Sequence, residues 1–167
     1  MTGLTVVADE YTEVQSFEEI YERRVSMLFR VCYSYVKNAV DAEDIVADTF
    51  VKMLQHSVVF RDSEHEKAWL LRTAINLCKD YHKHWWRRRE SIDDHTDLES
   101  ENPLYKDETL KIIMDLPERY KAVIYLYYYE GYSSAEIAEI LKKPRSTVLN
   151  HMHEARKLLK EVLSDEE

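Results

Sequence analysis

The stretch "SSAEIAEILKKPRSTVLNHMHEARKLLKEVL", Ser133 to Leu163, decides the fold of the C-terminal part of this chain. Ser133 and Glu136 stand at capping-box spacing, so a helix starts here, and Ile137, Ala138 and Leu141 carry it on as an apolar stripe. The turn "KKPR" breaks the pattern, and "STVLNHMHEARKLLKEVL" resumes it as a terminal helix. Just upstream, "LPERYKAVIYLYYYEG" places Pro117 at a helix start and Gly131 where a left-handed C-cap is wanted. Short helices, a tight turn and a terminal helix form a helix-turn-helix pattern.

Working outward, helical periodicity also fills the N-terminal half. Phe17, Ile20, Tyr21, Val25, Leu28, Phe29, Cys32 and Val36 predict a first amphipathic helix from about Ser16. "DAEDIVADTFVKML" predicts a second, with Asp41 as N-cap, acids in its first turn and a core stripe of Ile45, Val46, Thr49, Phe50, Met53 and Leu54. After the connector "SVVFRDSEHE", a long helix is expected from about Glu66 through Arg89, burying Leu70, Leu71, Ala74, Ile75, Cys78 and Tyr81.

Between Ile92 and Leu110 the periodicity fails, and seven acids face the single base Lys106. That composition predicts a solvated linker. It carries six of the nine net negative charges of the chain, so the flanking units are close to neutral. The expected organisation is therefore all-α: two small helical domains, residues 14–91 and 111–164, joined by a flexible acidic linker over 92–110.

The remaining composition narrows the function. With 167 residues, 45% of them hydrophobic, the chain can form one modest core or two small ones. No apolar run approaches the roughly 20 residues that span a bilayer, and the polar N-terminus does not read as a signal peptide, so the expected location is the cytoplasm. Two glycines and three prolines argue against a phosphate-cradling loop and a turn-rich β protein. Cys32 and Cys78 fall inside helical patterns and read as core residues. Cys78 with His82 and His84, or His151 with His153, lacks a second cluster to complete four metal ligands. The sequence calls for no metal, no cofactor, no small-molecule substrate and no catalytic set, so an enzyme is not expected.

Positive charge collects in "HKHWWRRR", residues 82–89. On the long helix Arg72, Asn76, Lys79, Lys83 and Trp86 follow at offsets of 0, 4, 7, 11 and 14, which keeps them on one face. Cations for phosphates, an amide for base edges and a ring for stacking suit single-stranded nucleic acid. The alternative is dipole compensation at a helix C-terminus, with Trp85 in the core. The tyrosines 125, 127, 128, 129 and 132 read as a mixture of core contacts and surface hydroxyls, with an inhibitor platform as the other reading.

Taken in order, "FEEIYERRVSMLFRVCYSYV", "DAEDIVADTFVKML", "EKAWLLRTAINLCKDYHKHWWRRR", "LPERYKAVIYLYYYEGYSSAEIAEIL" and "STVLNHMHEARKLL" resemble the extracytoplasmic-function (ECF) branch of the bacterial sigma-70 family. The resemblance implies a sigma region 2 in the first unit and a sigma region 4 in the second. It implies a polymerase specificity subunit that binds core RNA polymerase at the beta-prime clamp helices and beta flap, selects promoter DNA and helps to melt it. Asp44, Asp48 and Lys52 would meet the clamp helices. Arg72, Asn76, Lys79, Lys83 and Trp86 would hold the minus-ten non-template strand, and Phe60, Arg61 and Asp62 would hold a flipped base. Arg145, Ser146, Leu149, Asn150, His153 and Glu154 would face the minus-35 major groove. An anti-sigma factor, membrane-anchored for many relatives, belongs to the same expectation.

The recognition helix departs from the family pattern. Leu149 stands where a basic residue is common after "TV", and His151 and Glu154 stand where arginines are common. A leucine can touch a thymine methyl but cannot make the paired hydrogen bonds of arginine to guanine. Two rivals share the motifs: a stand-alone helix-turn-helix regulator of duplex DNA, and an adaptor that sequesters an anti-sigma factor.

Overall fold

The structure is a computed structural model, and it describes residues 16–89 and 106–165, with side chains up to Tyr81 in the first segment and up to Glu161 in the second. Among the described residues there are seven helices and no strand. The chain divides into two compact units at Leu98 and Glu99.

The first unit is a three-helix assembly of α1 (Phe17–Val36), α2 (Ala39–Gln55) and α3 (Ser63–Arg89), each packed on the other two. Ser16 and Glu19 close a capping box at the start of α1. Its core contains Ile20, Leu28 and Cys32 from α1, Ile45, Val46, Phe50 and Met53 from α2, and Leu70, Leu71, Ala74, Ile75 and Cys78 from α3. Both cysteines are free and buried. Each large aliphatic side chain enclosed in this way contributes roughly 1.5–3 kcal/mol, enough to hold the long α3 in place.

Several sequence expectations need correction in this unit. The N-cap of α2 is Asn38, whose side chain accepts the backbone N–H of Asp41; Asp41 itself sits one turn in. Its carboxylate instead accepts a 2.5 Å hydrogen bond from the Tyr81 hydroxyl, tying α3 to the first turn of α2 and leaving Tyr81 half-buried. Tyr21 and Leu54, both assigned to core stripes, are 41% and 44% exposed. The stripe on α1 does not anticipate that Val31 to Val36 are all buried. Helix α3 begins at Ser63, three residues before Glu66, because Asp62 accepts the backbone N–H of His65 on its carboxylate and that of Glu66 on its carbonyl.

The second unit holds α4 (Glu108–Asp115), α5 (Glu118–Tyr128), α6 (Ser134–Leu141) and α7 (Arg145–Asp165). Helix α4 is absent from the sequence reading, which ran the acidic linker on to Leu110. Asp107 caps α4 by accepting the Leu110 N–H, and Leu110 is fully buried, so the last acids of the linker serve a helix start. The linker from 92 to 105 lies outside the described residues. Ile113, Leu116, Tyr120, Ile124 and Ala155 form a core cluster from α4, α5 and α7, flanked by Tyr129, Leu158 and Leu159.

Gly131 takes the left-handed conformation (φ 71°), which lets the Tyr132 N–H return to the Leu126 carbonyl. The capping box of Ser133 and Glu136 opens α6 as the spacing predicts. The turn after α6 is closed by Lys142 at φ 52°, with the Lys143 N–H donating to the Ala138 carbonyl, a Schellman-type closure. Arg145, placed in the turn by the sequence pattern, is the first residue of α7, since Pro144 accepts the N–H groups of Thr147 and Val148.

Candidate functional site

Two chemically different surfaces lie side by side on the first unit. On α2 the side chains of Asp44, Asp48 and Lys52 are exposed. Asp44 and Asp48, with Ile45, Ala47, Leu77, Asp80 and Tyr81, line a cleft of about 440 Å³ between α2 and α3. Val40, Val51 and Leu54 are 44–47% exposed on α2, and with Ala47 they recur at helical spacing along one line. The sequence reading missed this apolar line, because it assigned Leu54 to the core and read the face from its charges.

On α3 the structure brings Arg72, Asn76 and Lys79 to one face: Asn76 is exposed, while Arg72 and Lys79 are half-buried. Lys83 and Trp86 continue the same line on the backbone of α3; their side chains, and that of Trp85, lie outside the described residues.

The connector from α2 to α3 is ordered by local contacts. Ser57 adopts a left-handed backbone (φ 47°) at its start. Phe60 is fully enclosed, its ring edge-on to His65 at 5.5 Å and to Trp69 at 5.9 Å, so it anchors the loop from within and offers no face to a base. Arg61 is exposed and Asp62 half-buried. The Arg61 backbone N–H donates to Nδ1 of His65 at 3.0 Å.

Beneath this loop lies a feature that sequence reasoning missed. Glu66, fully buried, accepts from Arg23 Nη2 at 2.9 and 3.0 Å and from Arg24 Nε at 3.0 Å. Arg24 Nη2 also donates to the Ser63 carbonyl at 3.0 Å and to its hydroxyl at 2.8 Å. A carboxylate can be enclosed when charge-assisted hydrogen bonds of this kind surround it. The adjacent Arg23 and Arg24 within the acidic start of α1 were the available signal.

In the second unit Val148, Met152 and Ala155 turn the inner face of α7 to the core. Arg145, Ser146, Leu149, Asn150 and His153 are exposed together on the outer face, Leu149 to 47%. Glu154 is half-buried, its carboxylate 3.9 Å from Lys157 Nζ. His151 turns inward, edge-on to Tyr120 at 5.5 Å. Tyr125 and Tyr132 are buried, and Tyr127 and Tyr128 are exposed, with Arg156 over the Tyr127 ring at 5.2 Å. Among the described residues no three His, Cys, Asp or Glu side chains gather as a metal site, and no helix is long and apolar enough to cross a membrane.

With this geometry in hand, comparison places the chain in a class of two-unit helical transcription proteins. Residues 20–95 match the family "Sigma-70 region 2" and residues 106–159 match "Sigma-70, region 4". The RNA polymerase sigma factor SigV of Bacillus subtilis (strain 168) is 35% identical over 144 residues, covering 83% of this chain and 86% of that protein. The ECF RNA polymerase sigma factor SigW of the same organism is 26% identical over 168 residues, covering 90% of each. The chain belongs to the ECF branch of the sigma-70 family of RNA polymerase sigma factors.

The fold is shared with two solved structures, the second of them a sigma factor. CnrH, in complex with the cytosolic domain of CnrY, superposes with a TM-score of 0.65 at 23% identity, covering 90% of this chain and 89% of CnrH. RpoE of Bartonella quintana, in complex with the anti-sigma factor NepR, gives a TM-score of 0.65 at 22% identity, covering 89% of this chain and 96% of RpoE.

Proposed function

We propose that this sigma factor binds core RNA polymerase through α2, holds the melted non-template strand of the minus-ten element on α3 and the loop before it, and presents α7 to the minus-35 major groove. One observation carries this reading: adjacent helices of one small unit present opposite chemistries. The α2 surface combines acids with an exposed apolar line, which suits a basic amphipathic helix of a protein partner. The α3 surface offers an amide between cationic groups, which suits a polyanion with unstacked bases.

Opening a duplex costs a few kcal/mol per unstacked step, and a protein without ATP must recover that from binding the exposed strand. The face of Arg72, Asn76 and Lys79, extended toward Lys83 and Trp86, is the surface for that recovery, and Arg61 projects from the neighbouring loop. In the second unit Leu149 and Asn150 stand at the centre of the outward face of α7, so apolar contact with thymine methyls and amide contact with adenine are the readout it supports. Holding by an anti-sigma partner, and through it at a membrane, belongs to the same proposal.

Run-off transcription with purified core polymerase tests it. The chain is expected to give promoter-dependent transcripts whose start sites align upstream on two common elements; a chain that joins the polymerase without changing start-site choice would overturn the reading.

A further inference from the structure

We propose that neutral His65 is the positioning residue that fixes the loop before α3 and so aims the Arg61 side chain at the melted strand. This rests on the reading of that loop as a DNA-contacting element.

The geometry is a reciprocal cap. Asp62 accepts the His65 backbone N–H at 2.7 Å, and the His65 ring returns to accept the Arg61 backbone N–H on Nδ1 at 3.0 Å. In a capping box the return bond from the third helical residue goes to the N–H of the N-cap itself; here the His65 ring nitrogen reaches one residue further back, to the N–H of Arg61. The ring is held in place by Phe60, edge-on at 5.5 Å and itself fully enclosed. Below, the Arg23 and Arg24 guanidiniums grip Glu66 and Ser63, so the first turn of α3 is a fixed platform. What sets the chain direction between Phe60 and Asp62, and with it the direction of the exposed Arg61 side chain, is then the bond to His65.

An acceptor at Nδ1 requires that this nitrogen carry no proton. A protonated imidazole would replace the acceptor with a donor facing an N–H, and the loop bond would be lost. The charged groups acting on the ring are Arg61 and Asp62 from the loop and Arg72 from α3. Burial lowers the His65 pKa from its ordinary 6.5, and Arg61 and Arg72 lower it further against the opposing Asp62. The neutral form therefore persists at neutral pH, and the arrangement fails on acidification. A sigma factor built this way opens promoters less well in acid for a reason located in one ring.

The test uses holoenzyme reconstituted from the full chain and core polymerase, with permanganate reactivity of thymines at a promoter mapped by run-off transcription as the readout, from about pH 8 to about pH 5.5. His65→Asn keeps an oxygen acceptor close to the place of Nδ1 and does not titrate; His65→Ala removes the acceptor. Wild type is expected to lose opening by about fivefold on acidification relative to His65→Asn, the factor that one neutral hydrogen bond of ordinary net strength commands. His65→Ala is expected to open poorly at every pH while still co-eluting with the polymerase. Loop geometry is read separately in the free chain, where the Arg61 amide resonance should move with pH in wild type and stay fixed in His65→Asn.

Equal pH profiles for wild type and His65→Asn, or full opening by His65→Ala while Arg61→Ala is impaired, would overturn the role of His65 alone. If Arg61→Ala opens as wild type does, the reading of the loop fails and this inference falls with it.

Discussion

Nε of Arg24 on α1 stands 3.0 Å from Oε1 of Glu66 on α3, and the carboxylate has no exposed surface. This ion pair, shared with Arg23, joins the helix that begins the first unit to the helix that carries its cationic face. Removing the buried Glu66 leaves the Arg24 guanidinium enclosed without compensation, whereas Arg23, about a third exposed, can turn to water. Glu66→Ala is therefore expected to destabilise the first unit by about 3–5 kcal/mol. Arg24, 11% exposed, should matter more than Arg23 at 35%. All three tryptophans, Trp69, Trp85 and Trp86, lie in this unit, so tryptophan fluorescence during urea unfolding reports on it separately. An unmoved midpoint for Glu66→Ala would remove the anchor.

Stability should also depend on pH through His65. Its folded pKa lies below 6.5, the value it regains on unfolding. The unfolded chain then binds the proton more readily, so the contribution is fully present above 6.5 and fades as pH falls through the lower folded value. The urea midpoint of wild type is expected to fall over this window relative to that of His65→Asn, and parallel curves would deny the linkage.

Asp48 is exposed on α2 beside Asp44 and the cleft. Reversing its charge with Asp48→Arg is expected to weaken assembly with core polymerase by about tenfold, chiefly through electrostatics across the interface, without altering the fold. Titration of labelled core enzyme measures this, and undiminished affinity would move the docking surface elsewhere.

For the α3 face, Lys79→Ala with Lys83→Ala should impair promoter opening more than polymerase binding. In holoenzyme binding to single-stranded DNA, the slope of log affinity against log salt should become shallower by roughly 0.7 for each phosphate that is no longer neutralised. An unchanged slope with normal permanganate reactivity would show that the strand does not run along this face.

Lys142 holds the turn of the helix-turn-helix in the left-handed region at φ 52°. A side chain there carries a steric penalty of about 1–2 kcal/mol that glycine avoids, partly offset by the extra freedom of glycine in the unfolded chain. Lys142→Gly is expected to stabilise the second unit by roughly 1 kcal/mol, seen as slower amide exchange in α6 and α7. Faster exchange would mean that the lysine side chain contributes more than its backbone conformation takes away.

The helices themselves were largely legible in the sequence. Ser16, Ser133 and Pro117 mark starts that the structure has, and the stripes of α2 and α3 are buried apart from Leu54 and the half-buried Tyr81. Capping and periodicity depend on residues within one or two turns of each other, so they can be read from a string. Helix α4 escaped because its acidic cap, Asp107, looked like the end of the linker. On α7 the residues that the resemblance turned outward are exposed apart from the half-buried Glu154, and the structure puts Val148, Met152 and Ala155 on the inner side.

What the string could not supply is whatever depends on distant partners. Glu66 looked like a polar residue opening a helix; it is a buried anchor because Arg23 and Arg24, 43 and 42 positions away, arrive beside it. Asp41 looked like a cap and is instead held by Tyr81, 40 positions on. Phe60 stood with Arg61 and Asp62 in the connector that the resemblance assigns to a flipped base, and it lies enclosed against Trp69. Sequence by itself determined the family and, apart from α4, the helices, because both follow from local pattern and order. Tertiary structure alone decided which charges are enclosed as anchors and which lie at the surface, because burial and ion pairing are set by what the folded chain brings within about 4 Å.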